Sequence, residues 1–227
     1  MKKLFFILTN IFAACGFLKQ AHAFDCAQIT TLPSIELSTS YGTLKYDFTK
    51  NTQQITNIAS KYGIAEKGLF ASGLATVNVS WEIAVNTIGK IYDNYDICIV
   101  PTSLKVFIGF SDPTIYISNE IAKDSCEYNV VLRHEQTHQQ INKAALDYFL
   151  PMFQNALKEI SKTIRPEHVS VLTDIDNGTT RLTQRYNSKL APLIEVFKEE
   201  LLAEQGKLDN QKNYHFEQNI CKKDDEN

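Results

Sequence analysis

The sequence predicts an α+β fold, in which a twisted, mainly antiparallel sheet packs on a helix and is followed by a helical C-terminal part. The first half of the chain alternates apolar and polar residues and is rich in Val, Thr and Ile, which is typical of strands. The second half spaces its apolar residues three and four apart, which is typical of amphipathic helices. With 227 residues, of which 44% are hydrophobic, the chain can form one domain with its own core.

Strands are predicted for short runs within 34–48 and for the runs 74–88, 91–100, 104–110 and 114–118. Between the runs within 34–48 and the run 74–88, helical spacing predicts a short helix that stops before Gly63. Pro101 and the Asp112-Pro113 pair are turn residues, and we expect them to separate the last three strands.

The helical half is predicted to begin at a capping box formed by Asp124 and Glu127. The helix that follows is expected to run to Pro151, because proline removes a helical hydrogen bond. A further helix is predicted up to Thr163, and a long amphipathic helix over residues 188–210.

The N-terminus has the organisation of a secretory signal peptide. Residues 1–3 include two lysines, residues 4–18 form an apolar run, and residues 21–23 read Ala-His-Ala, which matches the cleavage pattern. We therefore expect residues 1–23 to be removed and residues 24–227 to form a single domain in a secreted or periplasmic bacterial protein.

Cys15 offers an alternative fate for the N-terminus. Residues 12–15 loosely resemble the lipobox of lipoproteins, which would make Cys15 a lipid anchor. No other segment is long and apolar enough to predict a membrane span. The whole chain has a formal net charge of −3, and removal of Lys2, Lys3 and Lys19 with the signal segment leaves −6, which disfavours nucleic acid or an anionic membrane as the main partner.

Four cysteines lie outside the signal segment, and an even number in an exported chain indicates two disulfides. Three connectivities exist. We favour Cys98–Cys126, which would tie the end of a predicted strand to the start of a predicted helix. The second bond would then be Cys26–Cys221, joining the two ends of the domain.

Residues 134–138, His-Glu-Gln-Thr-His, carry the most informative chemistry. Histidines four residues apart on a helix lie on one face, so His134 and His138 can bind one ion. Glu135 is displaced around the helix, where it can reach a water molecule on that ion. Zinc lowers the pKa of bound water to near neutrality, and a neighbouring carboxylate can take the proton. We therefore predict a monomeric zinc metallopeptidase acting on a protein or peptide substrate, with Glu135 as general base.

The motif does not supply the third zinc ligand. Of the remaining histidines, we favour His215 over His168, because a disulfide at Cys221 would fix its segment. The competing interpretation is a carboxylate of the long helix, from Glu195, Glu199, Glu200 or Glu204. A peptidase also needs a donor for the developing oxyanion. Tyr214 is our candidate because it adjoins His215, and Tyr186, His168 and Arg133 stay open.

The motif and its surroundings resemble a family of predicted secreted bacterial zinc-dependent proteases, a domain of unknown function. The resemblance rests on the strand ending in Cys98, on residues 126–138 and on residues 208–215. It implies a zincin-like fold in which the short motif supplies two zinc ligands and the acid. A late histidine that follows an aspartate also occurs in the family, similar to His215 and Asp209 here.

Two other functions agree with the same residues. One is an exported zinc-binding or interaction module without catalytic activity, which would have no need of Glu135. The other is an amidase that acts on cell-wall peptide, because nothing in the sequence defines the amide that is cleaved.

Overall fold

The computed structural model describes residues 25–63, 70–92, 97–170 and 172–222. The predicted signal peptide, the lipid-anchor candidate Cys15 and the tail from residue 223 lie outside the described residues. The strands and helices follow one another as β1 (Ser34–Ser40), β2 (Lys45–Asp47), α1 (Thr52–Lys61), β3 (Gly73–Ile91), β4 (Ile97–Ile117), α2 (Cys126–Thr163), β5 (Glu167–Val169), α3 (Ile175–Leu208) and α4 (Gln211–Lys222). No helix in these ranges is both long enough and apolar enough to cross a membrane.

The sheet is open, mixed and built around β4. Strand β3 pairs with β4 in antiparallel fashion along nearly its whole length. The other side of β4 is occupied in turn by β5, which is antiparallel, and by β1 and β2, which are parallel. The predicted combination of helices and strands is confirmed. The parallel pairing of β1 with β4, and of β2 with β4, was not predicted.

Strand β4 unites three runs that the sequence analysis treated as separate strands. The expected breaks at Pro101 and at Asp112-Pro113 are wrong. Register shifts of the β3–β4 pairing occur at both places, opposite Asn86-Thr87 and Thr76–Asn78. Asp112 also has a positive φ of 52°. These irregularities accommodate the missing proline N–H groups, so the ladder continues on either side.

Helix α2 is continuous, and the break expected at Pro151 is wrong. Phe149 and Phe153, on either side of the proline, are buried in the core. Proline in a helix interior costs about 3 kcal/mol, which is comparable to the contribution of one buried aromatic side chain. The first turn of α2 is capped by Ser125, whose side chain accepts a hydrogen bond from the Tyr128 amide. Asp124, the predicted cap, lies one residue outside the cap position.

The core lies between one face of the sheet and the two long helices, α2 and α3. Alternate residues of β4, such as Leu104 and Ile108, are fully buried against Phe153 of α2 and Phe197 of α3. The small helix α1 covers the opposite face at one end of the sheet, where its Ile55 packs with neighbouring residues of β3 and β4.

The disulfide pairing differs from the prediction, although the same four cysteines take part. The bonds are Cys26–Cys98 and Cys126–Cys221. Cys98 lies at the beginning of β4 rather than at the end of a strand, beside the N-terminal segment that carries Cys26. Helix α4 folds back along α2, which brings Cys221 to the first turn of α2.

Two leucines of α3 test the assignment of its buried face. Leu190 is 0% exposed, whereas Leu202 is 69% exposed. We expect Leu190→Ala to lower the free energy of unfolding by about 2–5 kcal/mol, because it leaves a cavity in the core. Leu202→Ala serves as the matched control and should change it by less than about 0.5 kcal/mol. Equal losses of the two variants in urea unfolding would contradict this assignment of the buried face.

Candidate metal centre

Helix α2 brings the two motif histidines together as the sequence predicted. His134 and His138 are both buried, and their Nε2 atoms lie 3.1 Å apart. The stretch contains neither glycine nor proline between its cap and Pro151, so consecutive turns place the rings one above the other.

A carboxylate from outside the helix completes the group. Asp209 follows the last residue of α3, and its Oδ1 lies 3.0 Å from the Nε2 atom of each histidine. In a tetrahedral zinc site with bonds of about 2.0 Å, neighbouring ligand atoms are about 3.3 Å apart. The three atoms are therefore spaced for one small cation, and we call His134, His138 and Asp209 the metal triad.

The far sides of both rings are held by acceptors. The Nδ1 of His134 lies 2.9 Å from Glu217 Oε2 on α4, and the Nδ1 of His138 contacts Gln205 Oε1 on α3. The orientation of the Gln205 amide is fixed, because its Nε2 donates to Asn142 Oδ1 at 2.6 Å and to the His138 carbonyl. Each Nδ1 can therefore keep its proton when a metal ion replaces the hydrogen bonds from Nε2 to Asp209, and both Nε2 atoms would then bind the ion.

The surrounding charges favour a cation at this position. Burial lowers the pKa of both imidazoles, but the hydrogen bond to Asp209 and the charges of nearby carboxylates outweigh it, so both pKa values are raised. Burial acts on Asp209 in the opposite direction. The hydrogen bonds from His134 and His138 prevail there and hold the pKa of Asp209 well below its usual range.

Glu135 lies beside the triad without belonging to it. Its carboxyl group is buried, and burial raises its pKa to about 7 against the opposing charges of the two histidines. The side chain rests on the first residue of β3, where an added Cβ on Gly73 would lie 2.6 Å from Glu135 Oε1. The backbone amide of Ala75 donates to the carboxylate. Because Gly73 has no side chain, α2 can approach β3 closely enough to position Glu135.

Comparison of the chain with protein-family models, with curated proteins and with solved structures finds no match.

His215, the predicted third ligand, lies outside the group. Its ring is exposed on α4, and its Nε2 is paired with the Asn219 side chain at 3.1 Å. Asp209 occupies the third position instead. His168 is also remote from the triad. It belongs to β5, which pairs with the beginning of β4, whereas the triad lies near the end of β4. The acids proposed as alternatives on α3, Glu195, Glu199, Glu200 and Glu204, lie outside the triad as well.

Tyr214, the candidate oxyanion donor, does lie in the site. Its hydroxyl donates to Asp209 Oδ1 at 2.7 Å, and its ring stacks on His134 with 5.4 Å between the centroids. Loss of hydration and the hydrogen bond to Asp209 raise the pKa of Tyr214, so the hydroxyl stays protonated. The other candidates are placed elsewhere: Tyr186 is buried in the core and Arg133 is exposed.

Sequence reasoning missed Asp209, Glu217 and Gln205. Each is an ordinary polar residue of a helical region, and the chain separates each of them from its histidine by 67 residues or more. One signal was available in the sequence: Asp209 stands at the end of the long helix that the apolar spacing predicts. The sequence analysis chose His215 as the third ligand instead.

Metal binding tests the composition of the triad. We expect His134→Ala, His138→Ala and Asp209→Ala each to weaken the binding of zinc more than 100-fold, because even outer partners of ligands typically cost about 10–100-fold. His215→Ala is the matched control and should bind zinc like the wild type in isothermal titration calorimetry. If His215→Ala lost zinc while Asp209→Ala retained it, the assignment of the third ligand would be wrong.

Proposed function

We propose that the protein is an exported zinc-dependent metallopeptidase of the HExxH class with a zincin-like catalytic arrangement. The observation that carries the proposal is the convergence of His134, His138 and Asp209 on one point, with the buried carboxyl group of Glu135 beside it. The two disulfides agree with an oxidising compartment outside the cytosol, where such bonds persist.

Zinc is the metal that best fits the donor set once Glu135 is taken into account. Two imidazoles and one carboxylate suit zinc and also suit ferrous iron, which binds the same set in oxygenases. Glu135 favours zinc and hydrolysis, because a proton acceptor beside the metal has a function in attack by water. A bound zinc ion would supply Lewis acidity, which activates water and polarises the substrate carbonyl.

The chain's own residues would move the proton. With a pKa near 7, Glu135 can accept a proton from the attacking water and return it to the leaving amine at neutral pH. The Tyr214 hydroxyl donates its one proton to Asp209, and it would have to exchange this hydrogen bond for one to the substrate in order to stabilise negative charge there.

The outer edge of β3 is the proposed seat of the substrate. Among the described strands, β3 pairs only with β4, so its other edge has no strand beside it. The edge begins at Gly73 and Ala75, which contact Glu135 directly. An extended peptide can add to such an edge through main-chain hydrogen bonds, which would bring its carbonyl groups past the triad.

A purely structural zinc site is the less favoured alternative. Structural sites usually close with four protein ligands, whereas the described residues supply a group of three. A cell-wall amidase would use the same residues on another amide, and activity on unmodified protein separates it from a peptidase.

The general base is tested by Glu135→Gln. We expect this variant to bind zinc and to hydrolyse denatured casein about 10²–10⁴-fold more slowly, because it loses proton transfer and keeps the ligands. Glu200→Gln removes an exposed acid of α3 and is the matched control. Chelation of the wild type should abolish hydrolysis, and zinc should restore it. Full activity of Glu135→Gln would refute the mechanism.

The contact between β3 and α2 gives a second test. A methyl group at Gly73 would lie 2.5 Å from Val131 Cγ1 and 2.6 Å from Glu135 Oε1, so the carboxylate must move. We expect Gly73→Ala to lower kcat about 10–100-fold with unchanged zinc content, since small misplacements of a catalytic group have effects of this size. Gly89 lies on the same strand, and a Cβ added there would lie 3.4 Å from its nearest neighbour, Ile175 Cδ1, so Gly89→Ala should keep its activity. Equal kcat values for the two variants would show that the close approach at Gly73 is unimportant.

A further inference from the structure

Helix α4 lies against the metal triad, yet little apolar packing holds it there. None of its residues is buried. Its contacts with the site are polar or aromatic: Glu217 accepts from His134 Nδ1, and Tyr214 donates to Asp209 and stacks on His134. Because burial of apolar surface is the main stabilising contribution to packing, this helix should separate from the domain at low free-energy cost.

One covalent bond compensates for the missing packing. Cys221, in the last turn of α4, is joined to Cys126, in the first turn of α2. With its beginning connected to α3 through residues 209–210 and its end fixed to α2, the helix is held at both ends. Glu217 lies one helical turn before Cys221, so the bond confines the carboxylate near His134.

The two disulfides differ in their access to solvent. Cys26 and Cys98 are 4% and 0% exposed, whereas Cys126 and Cys221 are both only half-buried. Thiol–disulfide exchange needs direct approach of a thiolate to a sulfur atom, so the Cys126–Cys221 bond is the more accessible of the two to a reductant.

We propose that the Cys126–Cys221 disulfide is a redox latch that keeps Glu217 on His134, so that its reduction weakens metal binding. The reductant is a dithiol, either a small molecule or a protein. One of its thiolates attacks a sulfur of the bond to form a mixed disulfide, and its second thiol resolves this intermediate. Two electrons and two protons pass to Cys126 and Cys221 as thiols, and the dithiol leaves as its own disulfide.

The latch acts through Glu217, which is a positioning residue rather than a ligand. The carboxylate holds the Nδ1 proton of His134 and with it the tautomer that directs Nε2 at the metal. When α4 is released, His134 also loses the ring of Tyr214 and becomes free to rotate. The proposal rests on the metal triad of the proposed function, and it does not depend on the reaction that the metal supports.

The test is the zinc affinity of the mature chain in four variants, measured by competition with a chromogenic chelator. We expect Cys126→Ser/Cys221→Ser to bind zinc about 10–100-fold more weakly than the oxidised wild type, and Glu217→Ala, which removes the acceptor of His134 Nδ1, to show a similar loss. Their combination should lose no more than the larger single effect, because both act on the same contact. Cys26→Ser/Cys98→Ser, whose bond lies at the other end of β4, is the matched control and should bind like the wild type.

If the control variant fails to fold, stepwise reduction of the wild type replaces it. Alkylation and peptide mapping then report which bond has opened at each step. Zinc affinity should fall as the Cys126–Cys221 bond is lost, while Cys26–Cys98 is still intact. Unchanged affinity after loss of Cys126–Cys221, or losses that multiply with Glu217→Ala, would overturn the latch. A protein that shows the latch but cleaves no peptide would refute the proposed peptidase alone.

Discussion

The site gathers negative charge in a place with little water. Glu135, Asp209 and Glu217 surround two imidazoles, and burial makes each unpaired charge costly. Hydrogen bonds to His134 and His138 satisfy part of this charge. A divalent cation at the centre of the triad would bind the two Nε2 lone pairs and the Asp209 oxygen at once. The remaining features of the fold can be understood as the means by which these side chains are held together.

Four parts of the chain contribute to that arrangement, each with a different physical cause. The uninterrupted first turns of α2 align the two rings. The buried side of α3 fixes this helix against the core, and Asp209 follows its last residue beside the two rings. Strand β3 comes close enough to support Glu135 because its first residue is Gly73. Helix α4 adds Glu217 and Tyr214, and a disulfide holds it there instead of a packed apolar face.

The sequence was informative where the cause of a feature is local. The pairing of His134 with His138 follows from helical spacing alone, and the position of Glu135 follows from the same helix. The general division into strands and helices could also be predicted. Pro151 misled the prediction, because burial of Phe149 and Phe153 outweighs the preference of proline. The breaks expected within β4 failed for a similar reason, since bulges opposite Pro101 and Asp112 absorb the irregularity.

The third ligand and the disulfide pairing depend on contacts between distant parts of the chain. Asp209 and His215 are six residues apart in the same helical region, and local spacing cannot decide which of them turns towards α2. Their roles depend on the path of α4 after α3, which is itself fixed by the Cys126–Cys221 bond. The sequence analysis joined Cys126 to Cys98, and this wrong pairing removed the constraint that brings α4 back over the site.

The central claim is that one metal ion is bound by two imidazoles from α2 and one carboxylate from the end of α3. X-ray diffraction from zinc-loaded crystals, recorded on both sides of the zinc absorption edge, tests this claim most directly. The account predicts one anomalous peak at about 2.0–2.2 Å from Nε2 of His134, Nε2 of His138 and Oδ1 of Asp209. A peak bound by His215, or the absence of any peak between the two motif histidines, would contradict it.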